Sequence, residues 1–385
     1  MSQAPDDPPC GTKGTPEISD RSVERVGLLV SNQEAPGAPA GTPVAPRAAE
    51  KLPPPIDPAA YRIALQAEEE HAKSHSGDVD ALVKLADMYS IRAAGGPDGP
   101  WRLMKGMRFS YDAAAALRNL EDAQRLAPDN ATIAARLRDA RVEAAPPMLL
   151  AALPKSGSVF VFQGLTDGTG KGRVSGVQGG AFPNFTVCQP GLIWLTSYRL
   201  ATHTHLAPSR TNLIELSVRF KLDRMIVHVR DPRQALISWF HFLPSVIRVL
   251  DPSQQLHYDV PEDYLSWPEP RQLDWQIEHF LPWFVDWIIG WLDAHRQPWF
   301  ETRILYTSFE DMVSNTRGFF DRILEFYDID RACFTYPETP HVHGDRNFRR
   351  GLIDEWRTAL SPEQIERASA AIPDRLYDRF GWPRH

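Results

Sequence analysis

Two short segments of the chain carry side chains that suit anion binding. The first, LPKSGSVFVF from Leu153, is typical of a buried strand, a tight turn at Gly157 and the start of a helix. A turn at a helix N-terminus directs unpaired backbone N–H groups at one point, where they favour an anion. Lys155, Ser156 and Ser158 add a cation and two hydroxyl groups there. The segment therefore predicts an anion-binding site.

The second segment, VHVRDPRQALISWF from Val227, repeats this order of strand, turn and helix. Arg230 ends the strand, and Ser238 follows eight residues later inside the helix. This spacing allows both side chains to converge on a second phosphate. Two anion sites in one chain suggest a nucleotide that is phosphorylated at two ends.

A glycine-rich segment, Gly168–Gly172, resembles a nucleotide loop but does not match the pattern GxxxxGK[ST]. Leu165 stands five residues before Gly170, where the pattern has glycine, and Gly172 replaces the Ser or Thr after Lys171. We interpret the segment as a flexible surface loop. The same mismatch, with the second anion motif, disfavours a kinase of P-loop ancestry.

The motifs together resemble the sulfotransferases that use 3′-phosphoadenosine 5′-phosphosulfate (PAPS). That family's first motif is Pro-Lys-Ser-Gly-Thr-Thr-Trp, and Pro154–Phe160 reads PKSGSVF. Its second motif has Arg, then Asp/Asn-Pro, then Ser, as in Arg230–Ser238. A Thr-His-Leu stands between the two motifs, matched by Thr204–Leu206. Its third motif, Arg-Lys-Gly followed by Trp, corresponds to Arg349–Gly351 and Trp356.

The resemblance implies PAPS as co-substrate, no metal, and a hydroxyl-bearing acceptor such as a glycan, a lipid or a small metabolite. It implies that His205 is the general base and that Lys155 stabilises the leaving phosphate. The implied nucleotide-binding residues are Lys155, Ser156, Gly157, Ser158, Val159, Phe160, Arg230, Ser238, Phe309, Arg349, Arg350 and Gly351.

Three positions depart from the family's pattern. Phe160 stands where the family stacks a Trp on adenine, and Phe309 stands where it has a nucleotide-contacting Tyr. His203 replaces a Lys that many relatives have two residues before the base. Either protonated His203 substitutes for that charge or another group takes its role.

Two alternatives stay open. His203, His205, His341 and His343 could be read as zinc ligands, because residues i and i+2 of a strand share a face. No Cys or carboxylate nearby completes the set, so we expect no metal. The chain could also be a helical-repeat adaptor with an inactive nucleotide-binding domain, but Lys155 and His205 are both present.

Composition narrows the class of protein. The chain has 385 residues and a net charge of −7, which argues against a general nucleic-acid binder. Cys10, Cys188 and Cys333 are too few and too scattered for a disulfide framework. We expect no signal peptide and no transmembrane segment, and we predict a cytoplasmic protein.

Residues 1–56 are rich in Pro, Gly, Ala and Ser and predict a disordered arm. Residues 57–144 are helical by periodicity, and Leu126–Asn130 resembles the turn that joins tetratricopeptide repeats. We expect either degenerate repeats or an ordinary helical cap that packs on the catalytic domain. This helical region is also a candidate site for a protein partner.

Residues 145–385 predict an α/β catalytic domain, a parallel sheet flanked by helices in a P-loop-like, three-layer arrangement. The predicted strands are Met148–Leu153, Arg224–Val229 and Arg303–Tyr306, and helices are expected over 158–165, 233–243 and 310–326. Trp283, Trp287 and Trp291 share a helix face that we interpret as core. Residues 244–275 predict an acceptor-binding loop or lid.

Overall fold

The computed structural model describes residues 58–93, 110–249, 258–338 and 351–384. The predicted disordered arm lies outside the described residues, as do Arg349, Arg350, His341 and His343. None of the helices in the described ranges is long and apolar enough to cross a bilayer.

The strands are β1 (Met148–Ala152), β2 (Gln178–Gly179), β3 (Thr186–Val187), β4 (Ala201–Thr204), β5 (Arg224–Val229) and β6 (Arg303–Ser308). Four of them form a parallel sheet at the centre of the α/β region, in the order β4-β1-β5-β6. A two-stranded antiparallel hairpin, β2–β3, precedes β4. Strands β1 and β5 are buried along their whole length, because helices cover both faces of the sheet.

Helices flank both faces of the sheet, and further helices make up the region before it. The α-helices are α1 (Pro58–Ser74), α2 (Val79–Ala93), α3 (Ser110–Leu126), α4 (Ala131–Ala144), α5 (Ser158–Thr169), α6 (Gln189–Ser197), α7 (Arg210–Leu213), α8 (Pro232–Val249), α9 (Glu269–Asp293), α10 (Phe309–Ser314), α11 (Thr316–Phe326), α12 (Trp356–Ala359), α13 (Pro362–Ala370) and α14 (Asp374–Phe380). Shorter helical turns are a π-helix at Ile214–Arg219 and 3-10 turns at Tyr264–Ser266, Ala294–Arg296 and Arg331–Cys333.

Alternate residues of each central strand enter different layers of core. Leu149 and Val227 pack with helices α8 and α9, whereas Leu150 and Ile226 pack with α5 and α11. The predicted three-layer α/β fold is confirmed. The tryptophan face of α9 is also core: Trp287 and Trp291 are buried, and each indole N–H donates to the carbonyl of Leu206.

Four local expectations differ from the structure. The edge strand β4 was not among the predicted strands. The helix expected over 310–326 is broken at Asn315, whose side chain accepts the N–H of Gly318 and starts α11. The predicted lid is largely helical in its described parts, since α8 continues through Pro244 to Val249 and α9 begins at Glu269.

The fourth difference concerns Gly168–Gly172, which is not a surface loop. Helix α5 ends within it, at Gly170 in the left-handed conformation (φ 69°). Lys171 is buried, and its ammonium donates to the carbonyls of Ala145 (3.0 Å) and Val142 (3.4 Å) at the end of α4. The carbonyl oxygens of a helix end attract a cation, which explains why a lysine is buried here.

The N-terminal helices form two consecutive pairs, α1–α2 and α3–α4. The expected turn between α3 and α4 is present, with Asn130 capping α4 through the N–H groups of Thr132 and Ile133. Arg199 donates to the carbonyl of Ala144, so the end of α4 is bonded to the α/β region. The resemblance to tetratricopeptide repeats stays a prediction.

Candidate functional site

The turn between β1 and α5 adopts a backbone conformation suited to anion binding. Lys155 and Gly157 both have positive φ, 65° and 78°. A Cβ atom on Gly157 would lie 2.8 Å from the Phe309 ring, so glycine is required for both conformation and space. Helix α5 begins at Ser158 and leaves its first N–H groups at this turn.

Arg230, at the end of β5, connects this turn to two other motif segments. Its guanidinium donates to the carbonyls of Lys155 (2.8 Å) and Leu352 (2.7 Å), and it lies 3.8 Å above the Phe309 ring. Leu352 follows Gly351, which has a φ of 67°. Arg230 therefore brings the first and third motifs and Phe309 together around one side chain.

A second arginine fixes the start of helix α8. Arg233 is fully buried, forms an ion pair with Asp231 (2.7 Å) and lies 3.8 Å above the ring of Trp356. The backbone N–H of Trp356 donates to the side-chain oxygen of Gln234 (3.2 Å). The tryptophan of the third motif thus packs on the helix that follows the second motif.

His205 follows β4, at the same edge of the sheet as the turn after β1. Its Nδ1 lies 2.6 Å from the carbonyl oxygen of Ala152, and its backbone N–H donates to the Gln178 side chain (2.5 Å). Because a carbonyl only accepts, Nδ1 must carry the hydrogen, and the neutral ring then has its lone pair on Nε2. This is the tautomer that a base needs.

Electrostatics keep His205 neutral. Burial lowers the pKa of its imidazole, and the positive charge of Lys155 lowers it further. The hydrogen bond to the Ala152 carbonyl raises the pKa but does not outweigh burial. Its neighbour His203 lies with ring centroids 4.9 Å apart, in an edge-to-face arrangement. Burial places the pKa of His203 well below its usual range, so His203 does not supply the fixed positive charge of the lysine it replaces.

Lys155 is half-buried, and its ammonium lies 4.0 Å from the centre of the Phe242 ring. This cation–π contact joins the turn to helix α8. Ser238, one helical turn before Phe242, is half-buried on the same face of that helix. Lys155 of the first motif and Ser238 of the second motif therefore both lie near Phe242.

The remaining sequence-predicted residues differ in exposure. Ser156 is fully buried, and its hydroxyl has no hydrogen-bond partner among the described residues. Ser158 is buried, whereas Val159 and Phe160 are half-buried, the latter in edge contact with Phe320. Phe309 is buried beneath Gly157 and Arg230 and has a supporting position.

Two supporting residues were missed by sequence reasoning. Gln178 orients the backbone of His205 from the β2–β3 hairpin. Glu310 is half-buried, its carboxylate accepts from the backbone N–H of Asp231 (3.0 Å) and from the Trp382 indole (3.2 Å), and desolvation raises the pKa of its carboxyl. The acidic residue after Phe309 was visible in the sequence, but its partners lie more than 70 positions away.

Within the described ranges, no group of three or more His, Cys, Asp or Glu side chains is arranged to hold a metal ion. The imidazoles of His203 and His205 are neighbours, and the other two histidines of the zinc alternative lie outside those ranges.

Comparison with known protein families agrees with this arrangement. Residues 145–380, more than half of the chain, match the family model described as the sulfotransferase domain. A search of curated proteins finds no match. The matched range begins just before β1 and includes the turn, His205, Arg230 and the described part of the third motif. The chain therefore belongs to the sulfotransferase-domain family.

Proposed function

We propose that this protein transfers a sulfuryl group from PAPS to the hydroxyl group of an acceptor. The observation that supports this most is the geometry of His205, which is neutral, oriented through Nδ1 and close enough to Lys155 to respond to its charge. A base and a cation at one edge of a parallel sheet, beside an anion-binding turn, are what such a transfer needs.

When bound, PAPS supplies an activated sulfur atom joined to a phosphate leaving group. His205 takes the acceptor's proton on Nε2 as the acceptor oxygen forms its bond to sulfur. Lys155 stabilises the negative charge on the phosphate oxygen, which keeps the electron pair of the S–O bond that breaks. Nδ1 keeps its hydrogen bond to Ala152 throughout, so the imidazolium that forms stays oriented.

The donor would be held at two places. The turn offers the N–H of Gly157, the N-terminus of α5 and the unpartnered hydroxyl of Ser156 to the 5′-phosphosulfate side. Arg230 and Ser238, with Arg349, Arg350 and Gly351, would bind the 3′-phosphate, because guanidinium groups pair with phosphate oxygens in a bidentate manner. Phe160 would stack on adenine.

We infer a catalytic domain over residues 145–385, preceded by a helical region over residues 57–144 that could bind a protein partner. We also infer that the protein is cytoplasmic. The acceptor could be a glycan, a lipid or a small metabolite. The adaptor alternative, in which the nucleotide domain is inactive, is disfavoured because the tautomer of His205 suits a base.

Calorimetry on the full chain tests the proposal with three nucleotides: PAPS, adenosine 3′,5′-bisphosphate and ATP. The two 3′-phosphorylated nucleotides should bind, and ATP should bind far more weakly because it lacks the 3′-phosphate. Incubation with PAPS and a panel of hydroxyl compounds should then release the bisphosphate only when an acceptor is present. Tight binding without turnover on any acceptor would favour the adaptor, and preference for ATP would rule out the proposed donor.

A further inference from the structure

His228 is a buried titratable residue in the middle layer of the fold, and the mechanism above does not use it. It lies on β5, two residues before Arg230, and is fully buried. Its imidazole joins two other segments: Nε2 lies 2.9 Å from the carbonyl oxygen of Ser156, and Nδ1 lies 2.9 Å from the hydroxyl of Thr307 on β6. An imidazole between two fixed partners cannot rotate freely.

The backbone of His228 contacts the same turn from its other end. Its carbonyl accepts the N–H of Leu153 (2.9 Å), which is the last backbone hydrogen bond before the turn. One residue therefore holds both the entrance of the turn, at Leu153, and its centre, at Ser156.

The hydrogen bonds fix the tautomer of the ring. The Ser156 carbonyl can only accept, so Nε2 carries the hydrogen, and Nδ1 accepts from the Thr307 hydroxyl. Burial lowers the pKa of His228 to about 4, so the ring stays neutral at physiological pH and this pattern persists. The charged groups that act on the ring are Arg230 and Asp311.

The bond to Ser156 has a consequence for the next residue. In a trans peptide unit the C=O and the following N–H point in opposite directions, and the described chain has its cis peptide at Phe182–Pro183. With the Ser156 carbonyl directed at His228, the Gly157 N–H must point away from the sheet. Among the described residues the structure gives this N–H no acceptor.

We propose that His228 is a positioning residue that directs the Gly157 N–H at the 5′-phosphate group of the bound nucleotide. This inference rests on the proposed function. Buried donors held in place by a supporting shell bind an anion without the cost of reorienting the backbone. Thr307 belongs to the same arrangement, because its hydroxyl donates to Nδ1 and helps to hold the ring in place.

The test compares two variants and two nucleotides. His228→Leu removes the donor and keeps an apolar side chain of similar size, whereas His228→Gln keeps an amide N–H for Ser156 and an oxygen for Thr307. Adenosine 3′,5′-bisphosphate has the phosphate that faces the turn, and adenosine 3′-monophosphate lacks it. Calorimetry on folded full-length protein measures binding of both nucleotides to each variant.

His228→Leu should weaken the bisphosphate about tenfold to a hundredfold, the worth of a hydrogen bond to a charged group, and leave the 3′-monophosphate nearly unchanged. His228→Gln should recover most of the loss. In the unmodified chain, the amide resonance of Gly157 should shift on adding the bisphosphate, and the His228 ring nitrogens should report the Nε2–H tautomer by NMR.

Should His228→Leu fail to fold, Thr307→Val provides a milder change, expected to weaken the bisphosphate selectively and by less. Equal loss for both nucleotides would mean a general structural role and overturn the inference alone. A Gly157 amide that does not respond to the bisphosphate would also overturn it. Failure of the unmodified chain to bind either nucleotide would instead overturn the proposed function, and this inference with it.

Discussion

The two ends of strand β1 use cations in opposite ways. At its amino end, Lys171 and Arg199 donate to carbonyls of residues 142, 144 and 145, where helix α4 ends. At its carboxyl end, Lys155 stands at the turn where α5 begins and its ammonium contacts an aromatic ring. At the amino end, carbonyl oxygens of the helix accept hydrogen bonds from two cationic side chains. At the carboxyl end, the first N–H groups of α5 and the Lys155 ammonium lie at the same turn.

This difference follows from the direction of the neighbouring helices. A helix that ends at a strand presents partial negative charge, which side chains of the protein can neutralise permanently. A helix that starts at a strand presents partial positive charge, and a lysine beside it increases that charge instead of cancelling it. At the amino end of β1, the closed end, side chains of the protein neutralise the helix charge. At the carboxyl end, the open end, the positive charges of the helix start and of Lys155 add together and favour an anion.

The largest expected effect concerns His205, the proposed base at the open end. His205→Ala should fold normally, bind the nucleotide and lose ~10²–10⁴-fold in turnover, the usual contribution of a positioned acid–base group. The neutral ring is the active form, and burial lowers its pKa. The acidic limb of the rate profile should therefore lie below the ordinary histidine value of about 6.5 and vanish in the variant.

His203→Gln is the matched control, because it changes the neighbouring imidazole on the same strand. Its turnover should fall less than about tenfold, a smaller loss than the ~10²–10⁴-fold expected from removing a positioned base. If the two variants exchange these behaviours, the base is His203. Steady-state rates from pH 5 to 9 measure both outcomes.

A second effect tests the turn itself. Gly157→Ala should lower the free energy of unfolding by about 2–4 kcal/mol, since alanine disfavours positive φ and its Cβ would press on the buried Phe309 ring. Gly170→Ala is the matched control: its φ is also positive, 69°, but no atom lies within 4 Å of the added Cβ. It should cost about 1–2 kcal/mol. Equal losses in denaturant titrations would show that the Phe309 contact is unimportant.

Arg230 allows a finer distinction at the open end. Arg230→Ala should weaken adenosine 3′,5′-bisphosphate by ~1.5–3 kcal/mol, the range for charged hydrogen bonds. Adenosine 5′-monophosphate, which lacks the 3′-phosphate, should lose less. Because Arg230 also donates to the Lys155 carbonyl, equal losses for the two nucleotides would mean that it acts by supporting the turn. Calorimetry with both nucleotides decides this.

The open end was more predictable from the sequence than the closed end. The order of strand, Gly157 turn and helix is local, so the pattern of residues 153–160 was sufficient to predict it. Even at the open end, the contact of His228 with Ser156 was not predictable, because it spans 72 positions and depends on which strands become neighbours. Lys171 was wrongly predicted to be on the surface, because only the packing of α4 beside it explains a buried lysine. Strand β4 is four residues long and gave too weak a pattern.

The smallest expected effect tests how strongly burial disfavours the charged form of Lys171 at the amino end of β1. Burial lowers the pKa of Lys171 to about 7, against about 10.4 in the unfolded chain. Between these values the unfolded chain binds more protons, so this residue makes the free energy of unfolding rise with pH. From pH 7 to 9 the wild-type chain should gain about 2 kcal/mol relative to Lys171→Met. Denaturant titrations of both proteins at both pH values measure this change. The other titrating groups are the same in the two proteins, so their contributions cancel in the difference. Parallel pH dependence of the two proteins would show that the Lys171 ammonium stays charged in the folded chain, because water or the carbonyls of Val142 and Ala145 compensate for its burial.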